Sequence, residues 1–184
     1  MKKSFYLFFL ISLFAFGQRA DFYREDITFR LDSVSLDVEG YYWFANHSDI
    51  AVKSDIYYPF PNYRGETIDS IRLYNISAGH KSTFIREGEQ GISFILTITP
   101  FDTVLFQIGY RQKIIGDSAV YILRTTQGWG KPIDLAEYKL LVPDYFLIKK
   151  FSYEPDKSYK MEKFMIYYWK KENFMPAQDM IFYL

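Results

Sequence analysis

Apolar and polar side chains alternate along much of this chain. Ile92, Phe94, Leu96 and Ile98 alternate with Ser93, Thr97 and Thr99, and Val104, Phe106, Ile108 and Tyr110 alternate with Gln107, Gly109 and Arg111. A period of two is that of a strand with one buried face. The linking "TPFDT" carries Pro100 and Asp102 and is short enough to predict a hairpin. Similar runs recur at "ITFRLDSVSLDVEG", "YYWFANHS", "AVKSDIYYP", "IDSIRLYNIS", "AVYILRTT", "EYKLLVP", "FLIKKFSYE", "KFMIYYWKK" and "DMIFYL", bounded by Gly, Pro, Asn or Asp. Short strands punctuated by turns, with no long segment of helical period, predict an all-β antiparallel sandwich. One short helix is expected near residues 132–138, "KPIDLAEY", where Pro132 suits a first helical position and Asp134 the N-terminal dipole.

The stretch "DIYYPFPNYRGETIDSI" shows how the layers connect. A second hairpin is expected around the Asn46–Ser48 turn, its second strand ending at Tyr58, because Pro59 and Pro61 donate no ladder hydrogen bond. The chain then turns between Asn62 and Gly65 and restarts at Ile68. A strand ended by proline and restarted after a turn is a way of leaving one sheet and entering the facing one.

Composition supports the strands. Aromatic residues make up 21% of the 184 residues, with 17 Tyr and 18 Phe, and such side chains suit pleated, half-buried surfaces. Lys2 and Lys3 precede an apolar run from Phe5 to Phe16, the length of a signal-peptide core and too short to span a bilayer. Ala15 and Gly17 place small side chains where signal peptidase needs them, so residues 1–17 are expected to be removed and residues 18–184 to form a single domain beginning at Gln18. The protein is thus expected to be exported, to the periplasm or the cell surface, with no transmembrane helix in the mature chain.

The chain has 22 basic and 22 acidic residues, and loss of Lys2 and Lys3 leaves 20 against 22. Near-neutral charge, with only the doublets Lys149-Lys150 and Lys170-Lys171, argues against a nucleic-acid partner. Cysteine is absent, which excludes a disulfide staple, a thiol nucleophile and a cysteine-ligated metal. A hydrophobic core must hold the fold.

Several phrases carry a family likeness. "YYWFANHSDIAVKSDIYYPFP", "ISFILTITPFDTVLFQIGYRQ" and "NFMPAQDMIF" resemble, over Val38 to Phe182, the strand pairs and closing segment of the vault protein inter-alpha-trypsin domain. The resemblance implies a β-sandwich that works as an extracytoplasmic interaction module without catalysis. The chain departs from the family's larger members, whose adhesive metal-binding domain does not follow before Leu184, so an adhesive function is not carried over from them.

Chemistry-bearing residues are sparse. His47 in "ANHSD" and His80 in "AGHKS" sit in turn-like contexts. A triad of His47 with Ser48 and Asp49 would need neighbours to converge, whereas triad members come from separate elements. Two histidines also fall short of a zinc ligand set. No catalytic residue, metal site or cofactor is therefore expected. Asn46-His47-Ser48 and Asn75-Ile76-Ser77 match the glycosylation triplet, a match that is incidental in the bacterial context that the short Lys-Lys signal suggests.

The most distinctive loop is "TTQGWGKPIDLAEY". Gly128 and Gly130 flank Trp129, and a large ring between two glycines reads either as a ligand platform or as a plug folded back on the open end of the sandwich. Asp134 and Glu137, sharing a face if the segment is helical, are the candidate carboxylates beside it. The expected function is a non-catalytic binding or assembly module with a protein or glycan partner, its tentative site Trp129, Gly128, Gly130, Asp134 and Glu137. Two rivals are a glycan-binding or glycan-hydrolysing protein using that loop, and a small outer-membrane β-barrel. The charges of "VSLDVEG" and "SYEPDKSYKMEK" interrupt the alternation a barrel's lipid face requires.

Overall fold

The computed structural model describes residues 20–184; the expected signal segment and its junction at Gln18 lie outside the described residues. The strands are β1 (Asp21–Leu31), β2 (Ser35–Ala45), β3 (Val52–Pro59), β4 (Ile68–Asn75), β5 (His80–Lys81), β6 (Ile85–Arg86), β7 (Gly91–Ile98), β8 (Thr103–Lys113), β9 (Ser118–Tyr121), β10 (Ile133–Pro143), β11 (Lys150–Phe151), β12 (Lys157–Met161), β13 (Phe164–Phe174) and β14 (Met180–Tyr183). A 3-10 helix, Arg124–Trp129, precedes β10.

One layer is an eight-stranded sheet of order β12-β13-β10-β1-β2-β8-β4-β5. The other consists of two three-stranded sheets, β3-β7-β6 and β11-β14-β9. The large sheet is open, with β12 and β5 at its margins, so the fold is the all-β sandwich expected from the sequence and not the rival closed barrel. All its pairings are antiparallel except β1 with β10. That parallel pair is possible because a long stretch of chain connects its strands.

Alternation produces the core. In β2, Leu36, Val38, Gly40, Tyr42 and Phe44 are buried while Asp37, Glu39, Tyr41 and Trp43 face outward. Phe94 of β7 meets Phe106 of β8 at 5.3 Å, and Phe182 of β14 meets Phe29 of β1 at 5.3 Å. The first small sheet thus covers the β2–β8 side of the large one and the second covers the β1–β10–β13 side. Each fully buried aromatic or aliphatic side chain contributes roughly 1.5–3 kcal/mol relative to exposure.

The proline break works as read: β3 ends at Pro59 in a small sheet and β4 begins at Ile68 in the large one. Both expected hairpins are corrected. β2 pairs with β1 and β8, β3 pairs with β7, and β7 and β8 belong to different sheets. Residues 46–51 and 99–102 are therefore crossings between layers. Asn46, 2% exposed, ties the two together: its amide nitrogen donates to the carbonyls of Ile50, Ile98 and Thr99 at 2.7, 3.3 and 3.0 Å. That burial also removes Asn46 as a glycosylation acceptor.

The helix expected at 132–138 is a strand. Ala136, Tyr138, Leu140 and Val142 are buried in alternation along β10, and a two-residue period extended over this length overrides the local signals of Pro132 and Asp134. The helical turn lies earlier, at Arg124–Trp129, where Gly130 closes it with φ 75°, a left-handed conformation that favours glycine.

Candidate functional site at the seam of the second layer

β3 pairs only with β7, and β9 only with β14, so the second layer has a seam between its two sheets. A cavity of about 100 Å³ lies there over the large sheet. Its walls include Tyr57 and Tyr58 of β3, Tyr121 of β9, Thr125 and Trp129 of the 3-10 segment, and its floor includes Glu25 of β1. Tyr57 and Thr125 are exposed, so the cavity reaches the surface.

A β-bulge turns Glu25 inward. The β1–β2 register shifts between Phe22 and Arg24; Phe22 on one side of the bulge and Glu25, Ile27, Phe29 and Leu31 on the other are all buried. A bulge inserts one residue and re-aims the side chains that follow. Glu25 is 3% exposed, and its carboxylate receives a hydrogen bond from the Tyr138 hydroxyl. Burial pushes its pKa up from 4.5 to about 7, with the Tyr138 hydrogen bond pulling the other way.

Tyrosine hydroxyls share this space. Tyr42 lies within hydrogen-bond distance of Tyr58 at 2.8 Å and of Tyr121 at 3.0 Å between hydroxyl oxygens. Burial raises the pKa of all three phenols, and the nearby Glu25 charge raises them further. Gly40 gives Tyr42 its place: a Cβ at position 40 would collide with the Tyr42 ring and hydroxyl.

Trp129 is half-buried, its ring 5.7 Å from both Phe22 and Phe44. The side chain therefore rests on the core and also rims the cavity. The loop is not slack. Asp179 accepts hydrogen bonds from the backbone N–H groups of Leu123 and Arg124 (3.0 and 3.1 Å), the Arg124 guanidinium (3.0 Å) and the Tyr63 hydroxyl (3.1 Å). Burial alone would raise its pKa, but these donors together hold it below the usual carboxylate value. Beyond Gly130, Lys131 pairs with Asp21, whose other oxygen is 3.0 Å from His47 Nε2.

Asp134 and Glu137 do not join the site. Residues three apart on a strand face opposite sides, so the facing pair expected from a helix is corrected. Glu137 is held on the outer face by Arg24 at 3.3 Å and by the Tyr168 hydroxyl, whose pKa it helps push up to about 12. Asp134 is exposed, 3.9 Å from Lys131. Gly128 is exposed and lines the adjoining cleft with Tyr57, Thr125 and Trp129 rather than the seam cavity, while Gly130 serves as the helix cap. His80 is exposed, and the Ser48 hydroxyl donates to Asn46 Oδ1 at 2.6 Å rather than meeting a histidine. Sequence reasoning passed over Glu25, although it shares the alternation of Ile27, Phe29 and Leu31.

No protein-family model matches the chain, nor does any curated protein. Solved structures do. A "putative nutrient binding protein" from Legionella pneumophila superposes with a TM-score of 0.69 at 14% identity, covering 90% of this chain and 67% of that one. An M1 zinc metallopeptidase from Deinococcus radiodurans gives 0.55 at 12% identity over 91% of this chain, which spans 43% of the peptidase. At such identity the likeness is one of fold. The zinc-protease motif His-Glu-x-x-His does not occur in this sequence.

Proposed function

We propose that this protein is an exported, non-catalytic binding module of the bacterial envelope that takes its ligand at the seam beneath Trp129. The observation that carries this reading is the cavity itself: the aromatic sandwich opens at the seam onto a buried carboxylate and a set of tyrosine hydroxyls. Ligand pockets combine apolar walls with a few convergent polar groups. Export rests on the sequence of residues 1–17, and the interaction role agrees with the vault protein inter-alpha-trypsin resemblance and with the binding role in the Legionella neighbour's name.

Binding is favoured over glycan hydrolysis because hydrolysis needs two carboxylates facing one bond, whereas Asp134 and Glu137 lie on opposite sides of β10. The test is recovery of the protein from the native envelope with whatever it carries, analysed by intact mass and by capture. Trp129→Ala is expected to weaken capture by about 2 kcal/mol or more, the range of an aromatic hot spot. Unchanged capture by a folded variant would remove the seam from the function.

A further inference from the structure

The lining of the seam cavity contains a carboxylate and no lysine, arginine or histidine. Its remaining polar groups are tyrosine and threonine hydroxyls, and the rings of Phe22, Tyr42, Phe44, Tyr58 and Trp129 surround them. Aromatic faces are electrically negative and attract cations. We propose that the cavity binds a small organic ammonium ion, its charged head against Glu25 and its alkyl part between the aromatic rings and Trp129. The proposal rests on the binding role above and adds the class of ligand.

Size and charge narrow the choice. A cavity of about 150 Å³ takes a benzene ring, so one near 100 Å³ suits an ammonium head with a short alkyl chain, and a cleft of about 310 Å³ adjoins its mouth at Tyr57, Thr125 and Trp129. An anion would find hydroxyl donors but no positive charge to set against Glu25 and the ring faces. A neutral alkane would close the cavity over Glu25 without adding a partner to the one hydrogen bond from Tyr138, which costs free energy. An ammonium group supplies N–H donors and the opposite charge together.

Binding is coupled to protons. The titratable groups facing Glu25 are tyrosines: Tyr138 from β10, Tyr42 from β2, Tyr58 from β3 and Tyr121 from β9, with Tyr110 of β8 beyond Tyr58. All have raised pKa values and stay neutral, so only Glu25 changes charge. Below its pKa of about 7, an alkylammonium entering the protonated site leaves the ammonium–carboxylate pair and releases one proton. Affinity therefore falls about tenfold per pH unit below that value.

The experiment uses the whole mature chain with n-propylammonium chloride, n-propanol and sodium butyrate at matched ionic strength, followed by calorimetry and thermal unfolding at pH 6 and pH 8. Propylammonium is expected to bind and raise the unfolding midpoint, more at pH 8, while the alcohol and the carboxylate do neither. Glu25→Gln keeps an acceptor for Tyr138 and, with its cooperative unfolding checked in the same thermal scans, should weaken propylammonium at least tenfold and abolish its pH dependence. Equal binding of all three compounds, undiminished binding by Glu25→Gln, or no binding of propylammonium would each overturn the ammonium assignment. If that happens while Trp129→Ala still loses the native partner, the seam remains a binding site of another chemistry. If capture is also unchanged, the binding role falls separately.

Discussion

The two halves of this sandwich are packed differently. Beneath β9, β11 and β14, the rings of Phe29, Phe151, Trp169 and Phe182 fill the space, and Trp169, 0% exposed, places its one N–H on the Tyr153 carbonyl at 2.8 Å. Beneath β3, β6 and β7 and along the seam, the same large sheet presents Glu25, Tyr42, Tyr110 and Gln112. The Tyr110 hydroxyl and both polar atoms of the Gln112 side chain are buried without a hydrogen-bond partner among the described residues. A buried polar group without a partner costs about 1–3 kcal/mol. One half is built for stability, and the other gives some of it up at Tyr110 and Gln112, which lie outside the cavity's lining.

The largest effect should come from the dry half. Trp169→Ala removes a fully buried ring whose neighbours cannot collapse into its place, and about 3–5 kcal/mol of stability should be lost. Urea unfolding measures it. A loss below about 1 kcal/mol would show that this half is loosely packed too, and the contrast would disappear.

Glu25→Gln tests the wet half through pH. The folded protein holds the Glu25 proton up to a pKa of about 7, against 4.5 for an unperturbed glutamate, so folding binds a proton between those values. Wild-type stability therefore falls as pH rises from about 4.5 to about 7, and the full cost, about 3 kcal/mol, persists above that range. Glu25→Gln should match wild type near pH 4 and exceed it by about that amount at pH 8. Parallel stability curves for the two proteins across that range would mean that Glu25 is not desolvated in the folded state.

The strands were more legible in the sequence than their connections or the cavity. β7 and β8 show as simple alternation, and the prolines at 59 and 61 marked where the chain changes layers. The crossings at 46–51 and 99–102 looked like hairpins because a short polar loop suits either connection; the choice is made by which layer each strand completes, and by Asn46 bonding both corners. Pro132 and Asp134 suggested a helix because the local N-terminal signals were read without the longer period of Ala136, Tyr138, Leu140 and Val142. Glu25 was visible in principle, one step before Ile27 in the same alternation. The bulge that lets Phe22 share its face was not, since an inserted residue leaves no compositional mark. Trp129 stood out in the sequence by its flanking glycines, but its seat on Phe22 and Phe44 comes from strands distant in the chain.

The smallest effects should come from single hydroxyls, and they sharpen the comparison most. Tyr42 contacts two other phenols, Tyr58 and Tyr121, whereas removing the Tyr121 hydroxyl leaves the Tyr42–Tyr58 contact in place. If the three act as a connected polar unit, Tyr121→Phe should cost about 1 kcal/mol and Tyr42→Phe about twice that, because two hydroxyls are then left without their shared partner. A double-mutant cycle on the pair should give a coupling near 0.5–1 kcal/mol, within the range of residues in contact. The comparison fails if both variants are as stable as wild type: the hydroxyls would then be no more than tolerated, and the wet half would be a dry core left incompletely filled. A loss in Tyr42→Phe that Gly40→Ala reproduces would show that the position of the hydroxyl matters as well as its presence, since the added Cβ displaces the Tyr42 ring while leaving its chemistry intact.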